Sequence, residues 1–139
     1  MSGDFSISLM LAVPDAAAAT AWYKEALGAR ELWNLGSVVG LEVRGAPVFL
    51  AEPAGNGWDS PEGLGSTSVR VEVFLDDPDA FVERAVRAGA EVRDLVVDHH
   101  MPWGVHQQGV FTDPFGHLWF VGDRSPLEAH SEVWGDAPA

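Results

Sequence analysis

Apolar and polar positions follow the same order twice along the chain. An apolar run, an aspartate, a helical stretch and a glycine make up residues 7–28, and residues 69–89 repeat that order. Aspartate favours the N-cap of a helix, and glycine favours a left-handed C-cap. The pattern therefore predicts one helix in each copy. Their predicted caps are Asp15 with Gly28 in the first copy, and Asp77 with Gly89 in the second.

Strand-like segments separated by turn signals follow each predicted helix. They lie at residues 31–35, 38–43 and 47–52 in the first half, and at 91–97, 105–112 and 117–121 in the second. This order of segments predicts an α+β fold of two tandem β-α-β-β-β modules. The modules occupy residues 5–52 and 68–123 of one domain, residues 1–125, with a Gly/Pro-rich linker at 53–67 and a polar tail at 126–139.

Alternation within the first strand of each module predicts which side chains face away from the helix. Successive side chains of a strand point to opposite faces. In the first module the apolar face leaves Ser8 and Met10 on the other side, and in the second it leaves Arg70, Glu72 and Phe74. These polar and aromatic faces do not fit a plain apolar core and predict the walls of a cavity.

Composition limits the classes of partner. The formal charge is −13, and Lys24 is the single lysine. Such a field repels nucleic acid and anionic lipid and attracts cations, although an acidic surface also simply keeps a small protein in solution. The apolar run 9–13 is too short for a signal peptide or a membrane span, so we expect a cytoplasmic protein. The absence of cysteine excludes thiol chemistry.

Two motifs connect this pattern to a known family: "AWYKEALGA" at residues 21–29 and "DPFGHLW" at residues 113–119. Together with the paired modules they resemble the vicinal oxygen chelate superfamily. That group includes glyoxalase I, extradiol dioxygenases, fosfomycin-resistance enzymes and bleomycin-resistance binding proteins. The segments "SPEGLGSTSVRVEVFLDD" and "MPWG" are similar to its PhnB-like branch. The resemblance implies that the modules form a curled mixed sheet around a shared ligand cleft, and that the protein is a homodimer.

Metal-dependent members of the superfamily hold one ligand at each of four equivalent strand positions. The resemblance places these positions at Ser8, Phe49, Arg70 and Phe120. A divalent metal needs imidazole or carboxylate at three or more points, and a guanidinium would repel it. We therefore predict no metal and no other cofactor. A register shift of one residue would bring in Glu52 or Glu72, but not a complete set.

Three residues are candidates for catalysis. Arg70 and Glu72 lie on one strand face and allow two interpretations, an anion anchor beside a general base or a buried structural ion pair. Adjacent histidines on a strand point to opposite faces, so His99 and His100 cannot easily bind the same metal ion. Together with His106, they are typical of histidines at the edges of loops. One of them facing the cleft would serve as a polar contact or proton carrier, and His100 is the third candidate.

Aromatic side chains on predicted loops suit a flat ligand. Trp58 lies in the linker and Trp103 in "MPWG", where each fits stacking or a cation–π contact. Trp58 has the alternatives of covering a partner subunit or docking on its own surface. The predicted ligand-binding set is Ser8, Met10, Phe49, Trp58, Arg70, Glu72, Phe74, Trp103, Phe111 and Phe120.

Two functional hypotheses follow from these residues. The first is a metal-independent binding protein of the drug-sequestering, antibiotic-resistance type that holds a planar amphipathic ligand in an aromatic, acidic cleft. The second is a metal-independent enzyme, a lyase, isomerase or cyclase, that transfers a proton on a substrate resembling a natural product. Both take a small molecule as partner, and neither involves nucleic acid or a membrane.

Overall fold

A computed structural model describes residues 4–130 of the chain. The elements in chain order are β1 (Leu9–Ala12), α1 (Ala16–Leu27), β2 (Arg30–Asn34), β3 (Val38–Val43), β4 (Ala46–Ala51), α2 (Pro61–Leu64), β5 (Arg70–Phe74), α3 (Pro78–Arg87), β6 (Glu91–Met101), β7 (Gly104–Thr112), β8 (Leu118–Gly122) and α4 (Ser125–Glu128). None of the helices in this range is long and apolar enough to cross a membrane.

The strands form two separate four-stranded sheets, one in each module. Their orders are β1-β4-β3-β2 and β5-β8-β7-β6. In each sheet the first strand of the module pairs in parallel with the last, and the other pairs are antiparallel. The α+β class and the tandem β-α-β-β-β modules are thus confirmed. The chain divides into two compact units between Thr67 and Ser68.

The two main helices begin at the aspartates that the sequence indicates. The side chain of Asp15 accepts a hydrogen bond from the backbone N–H of Ala18, and that of Asp77 accepts one from Ala80. Gly28 ends α1 in the left-handed conformation, with φ of 68°. These contacts satisfy backbone groups that a helix end leaves without partners, so they fix where each helix begins and α1 ends.

Each helix packs on the face of its sheet that alternation predicts. In the first module Leu11, Leu41 and Leu50 are buried under α1, whereas Met10 is 45% exposed on the other face. In the second module Phe81 of α3 lies 6.5 Å from Phe111 of β7, centroid to centroid. The core of each module therefore lies between its sheet and its own helix.

The structure differs from the sequence prediction in the length of β6 and in two short helices. β6 continues to Met101, beyond the predicted end at residue 97, because it pairs with β7 up to a two-residue hairpin turn at residues 102–103. α2 lies in the predicted linker, capped by Ser60. α4 lies where the predicted domain ends and the predicted polar tail begins, a stretch for which the sequence indicates no element. Of the predicted tail, residues 131–139 lie outside the described part of the chain.

Candidate functional site

The second module has one sheet face that its main helix, α3, does not cover, and only the single turn of α4 reaches the end of that face at His106. Residues opposite one another on neighbouring strands project to the same face. The register therefore places together Arg70, Glu72 and Phe74 of β5, Phe120 and Gly122 of β8, and His106, Gln108 and Val110 of β7. We call these residues the helix-free face of the second module.

Arg70 places its guanidinium over an aromatic ring on this face. Its guanidinium carbon is 4.0 Å from the centroid of the Phe120 ring. Its Nη2 is 3.9 Å from Oε1 of Glu72, and the two side chains are 53% and 42% exposed. This exposure excludes the interpretation of a buried structural ion pair. The guanidinium contacts the Phe120 ring, and the half-exposed Arg70 side chain can still be reached by solvent or a ligand.

His106 forms a second polar cluster on the same face. Its Nδ1 is 2.7 Å from Oδ1 of Asp123, and its Nε2 is 3.2 Å from Nε2 of Gln108. The imidazole lies over Gly122, where a Cβ would come within 2.6 Å of the imidazole Cε1. Only glycine therefore leaves room for the ring at this position of β8.

Asp123 is the anionic end of this cluster. Its carboxylate accepts hydrogen bonds from the backbone N–H of Gln107 at 2.8 Å and of Ser125 at 3.0 Å, as well as from His106. Burial by itself would raise the pKa of Asp123, but these donors outweigh it and hold that pKa well below its ordinary value. Asp123 is therefore a carboxylate at neutral pH.

Trp103 joins the cluster from the hairpin turn between β6 and β7. Its indole N–H donates to Oγ of Ser125 at 3.0 Å, and that oxygen is 3.3 Å from Nδ1 of His106. The side chain is half-buried. Trp103, predicted as a loop aromatic for stacking, is thus fixed in place beside the helix-free face.

The first module carries an aromatic patch on its own helix-free face. Met10 of β1 lies opposite Phe49 of β4, and Gly40 of β3 lies on the other side of Phe49. Trp33 covers Gly40, and its ring centroid is 5.3 Å from that of Phe49. Ser8 is exposed, just before β1. Three of these side chains, Met10, Phe49 and Trp33, make a partly exposed apolar surface.

The positions that the resemblance gives for metal ligands are equivalent in the two modules. Phe49 pairs with Met10, two residues after Ser8, and Phe120 pairs with Glu72, two residues after Arg70. Glu52, which a register shift would have made a metal ligand, accepts a hydrogen bond from the backbone N–H of Ala16 at the start of α1. Among residues 4–130, no group of three or more His, Cys, Asp or Glu side chains is placed to hold a metal ion.

Two predicted site residues lie on the wrong side of the sheet. Phe111 is fully buried on the α3 face, and its ring stacks on Trp119 with centroids 5.9 Å apart. It belongs to the core and is not available to a ligand. His100 is exposed, but it pairs with Val105, so it projects to the face opposite that of His106. It does not share a face with Arg70 and Glu72.

The remaining predicted aromatic residues are placed separately. Phe74 is half-buried on the helix-free face of the second module, directly opposite Gly122. Trp58 is 36% exposed, in the segment before α2. Trp58 and Phe74 belong to different compact units of the chain.

An apolar groove of about 390 Å³ lies between α3 and β6, away from all of these residues. It is lined by Val82, Val86, Val92, Leu95 and Val96, with Asp79, Glu83 and Arg87. None of the predicted site residues contributes to it. Its apolar lining belongs to the exposed edge of the second sheet.

The cluster of His106, Gln108 and Asp123 is the main feature that the sequence predictions missed. The sequence prediction groups His106 with the loop-edge histidines, one of which it allows to face the cleft, and does not include Gln108 or Asp123. One signal was available. Gly122 stands within a strand, and a strand glycine often marks close approach of another group.

Comparisons with known proteins agree with this architecture. The family described as Glyoxalase-like domain matches residues 8–121. An uncharacterized protein of Mycobacterium bovis is 35% identical over 127 residues, covering 84% of this chain and 82% of the relative. An uncharacterized protein of Mycobacterium tuberculosis is also 35% identical over 127 residues, covering 84% of this chain and 73% of the relative.

Solved structures show the same fold. TioX from Micromonospora sp. ML1 superposes with a TM-score of 0.69 at 26% identity, over 86% of this chain and 98% of TioX. The fosfomycin resistance protein FosX from Listeria monocytogenes, in complex with Mn(II) and a dihydroxypropylphosphonic acid, superposes with a TM-score of 0.62. FosX is 19% identical, over 87% of this chain and 90% of its own, so this likeness concerns the fold alone.

Proposed function

The chain belongs to the glyoxalase-like domain family of the vicinal oxygen chelate superfamily, and on this premise we propose that it is a metal-independent binding protein for a planar amphipathic molecule. The ligand lies on the helix-free face of the second module. As in the sequence prediction, its role is to hold a compound such as an antibiotic rather than to transform it.

The observation that carries this proposal is the stacking of Arg70 on Phe120. A guanidinium placed over a ring is a planar cation at a defined position on this face, and such a group attracts both aromatic rings and anionic groups. These side chains stand at two of the positions where metal-dependent members carry ligands. Stacking thus takes the place of metal coordination.

The polar groups beside the stack support an amphipathic ligand. Glu72 partly offsets the charge of Arg70 at 3.9 Å, so the face presents both signs over a short distance. Phe74 adds a half-buried ring on the same face. A flat molecule with one charged end and an apolar body satisfies these groups best, and the net charge of −13 acts as a weaker, long-range bias toward cations.

A set of three naphthalene compounds tests the proposal by calorimetric titration: 2-naphthoate, 2-naphthylmethanol and 2-naphthylmethylammonium. We expect all three to bind, because stacking is common to them. Arg70→Gln should weaken 2-naphthoate about threefold to tenfold more than the neutral compound, since a half-exposed ion pair contributes on the order of 1 kcal/mol. Raising the salt concentration should weaken the two charged compounds only mildly and should not weaken the neutral one.

Arg30→Gln is the matched control. Arg30 is exposed, lies in the first module and pairs with Glu42, so its loss changes the net charge equally without touching the proposed site. Binding that responds identically to the two substitutions would reflect net charge alone and would contradict the proposal. Absence of binding for all three compounds would also overturn it.

A second candidate function is a metal-independent enzyme that transfers a proton. The observation in its favour is the exposed Glu72 carboxylate beside the Arg70 cation, which together suit a general base and an anion anchor. Incubation with a panel of enolisable ketones in deuterated water, followed by mass spectrometry, measures such proton exchange. Exchange that stops in Glu72→Gln, while the naphthalene compounds still bind, would replace the binding function with this one.

A further inference from the structure

Gln108 holds its amide in a defined orientation on the helix-free face of the second module. Asp123 is a carboxylate and can only accept, so Nδ1 of His106 carries the hydrogen in their 2.7 Å contact. In the neutral ring Nε2 is then an acceptor. Because Nε2 of Gln108 lies 3.2 Å away, the amide N–H donates to it. The network thus assigns which end of the amide faces the imidazole.

The carbonyl end of the same amide is left available. Among the described residues, the Gln108 side chain makes one hydrogen bond, through its nitrogen to His106, and its Oε1 is not among the buried polar atoms. Gln108 lies opposite Gly122 on β8, which in turn lies opposite Phe74 on β5. The acceptor oxygen therefore stands on the same face as Phe74 and the Arg70–Phe120 stack.

We propose that Gln108 determines ligand specificity by presenting its carbonyl oxygen to a hydroxyl or N–H group of the bound molecule, and that His106 and Asp123 position it. This inference rests on the proposed binding function and adds a ligand class to it. The favoured ligand is a flat molecule with an anionic end for Arg70 and a hydrogen-bond donor elsewhere on its ring system. A molecule that has only an acceptor at this position, such as an ether oxygen, would face the carbonyl oxygen of Gln108, which cannot donate a hydrogen bond.

Three related probes separate the inference from the function on which it rests: 2-naphthoate, 6-hydroxy-2-naphthoate and 6-methoxy-2-naphthoate. We expect the wild-type protein to bind the hydroxy compound about threefold to tenfold more tightly than the methoxy compound, as one hydrogen bond allows. Gln108→Met keeps the length of the side chain and removes the acceptor. It should abolish this preference, which is a ratio of two affinities measured on the same variant and so does not depend on how tightly that variant binds 2-naphthoate.

Gln107→Met is the matched control for that substitution. Gln107 is the neighbouring residue of β7, so its side chain projects to the opposite face, and the same chemical change is made there. It should keep the full preference for the hydroxy compound. If the three probes bind and the preference is the same in both variants and the wild type, the role of Gln108 is wrong while the binding function holds. If none binds, the binding function itself fails.

The positioning role of His106 has its own test. His106→Phe keeps a ring over Gly122 and frees the amide to turn. The preference for the hydroxy compound should fall toward that of Gln108→Met, although the Gln108 side chain is intact. The side-chain amide signals of Gln108 in a proton–nitrogen NMR spectrum should shift while the remaining backbone pattern is kept. A preference that survives with such a folded spectrum would overturn the positioning role.

Discussion

The functional argument depends on which side chain stands at a few strand positions. Phe120 occupies a place where metal-dependent members of the superfamily carry a ligand, and in this chain it supports a guanidinium instead. Burial would favour the neutral form of Asp123, yet four hydrogen bonds, donated by Gln107, His106 and Ser125, keep it ionised. In both cases the immediate neighbours of a residue decide its chemistry more than its type does.

The residue types at the four ligand positions lead to a prediction about metal binding. We expect the purified protein to retain no stoichiometric divalent ion after incubation with zinc, nickel, manganese or iron, because hydroxyl, phenyl and guanidinium groups are poor ligands. Elemental analysis after gel filtration measures this. One tightly held equivalent per chain would contradict it, and would direct attention to the carboxylates and histidines elsewhere on the sheet.

At the scale of elements, each sheet separates a face buried under its helix from a more exposed one. Phe111 and Phe120 lie on adjacent strands of the same sheet, but the first is fully buried against α3 and the second is half-buried on the helix-free face. Asp113 fixes the turn between β7 and β8. Its carboxylate accepts hydrogen bonds from the backbone N–H groups of Phe115 and His117 and from the indole N–H of Trp119. This explains the "DPFGHLW" motif as a structural device.

Truncation of Phe111 should therefore mainly lower stability, whereas truncation of Phe120 should mainly weaken ligand binding. Phe111→Ala should lower the free energy of unfolding by about 3–5 kcal/mol, because it leaves a cavity in the core. Phe120→Ala should cost about half of that or less, since its ring is only half-buried, yet it should weaken 2-naphthoate binding severalfold. Urea denaturation and calorimetric titration measure the two effects. A larger loss of stability from Phe120→Ala would reverse our assignment of the faces.

At the scale of the whole molecule, the two sheets leave apolar edges. β2 and β6 are edge strands. Leu35, directly after β2, is 75% exposed, and Leu95, within β6, is 72% exposed. Exposed apolar edge strands invite pairing with another chain. Together with the groove beside α3, they support the homodimer that the resemblance implies.

We expect light scattering at micromolar concentration to give twice the chain mass of 14.9 kDa. Leu95→Glu should shift the mass toward that of one chain, because a carboxylate in the buried interface would be desolvated. Leu127→Glu, at an exposed leucine of α4, is the control and should leave the dimer intact. A wild-type particle of single-chain mass would refute the dimer.

The sequence by itself determined the two main helices, the eight strands and their order, although not the two short helices or the full length of β6. The caps at Asp15 and Asp77 are local, and strand alternation has a period of two residues, so neither depends on distant contacts. For the same reason the sequence predicted which residues of β1 and β5 face away from the helices. The pairing of Arg70 with Glu72 followed directly from that alternation.

Only the tertiary structure decided what meets on each face. The network of His106, Gln108 and Asp123 joins β7 to the segment after β8, and its partners depend on the register between strands. The same register buried Phe111 and turned His100 away from the site. A shift of one residue exchanges the two faces of a strand. The sequence prediction ends β6 at residue 97, so it does not include the two-residue turn at residues 102–103, which sets the register of β6 with β7. Without that register, the chemistry of the face became visible only in the folded chain.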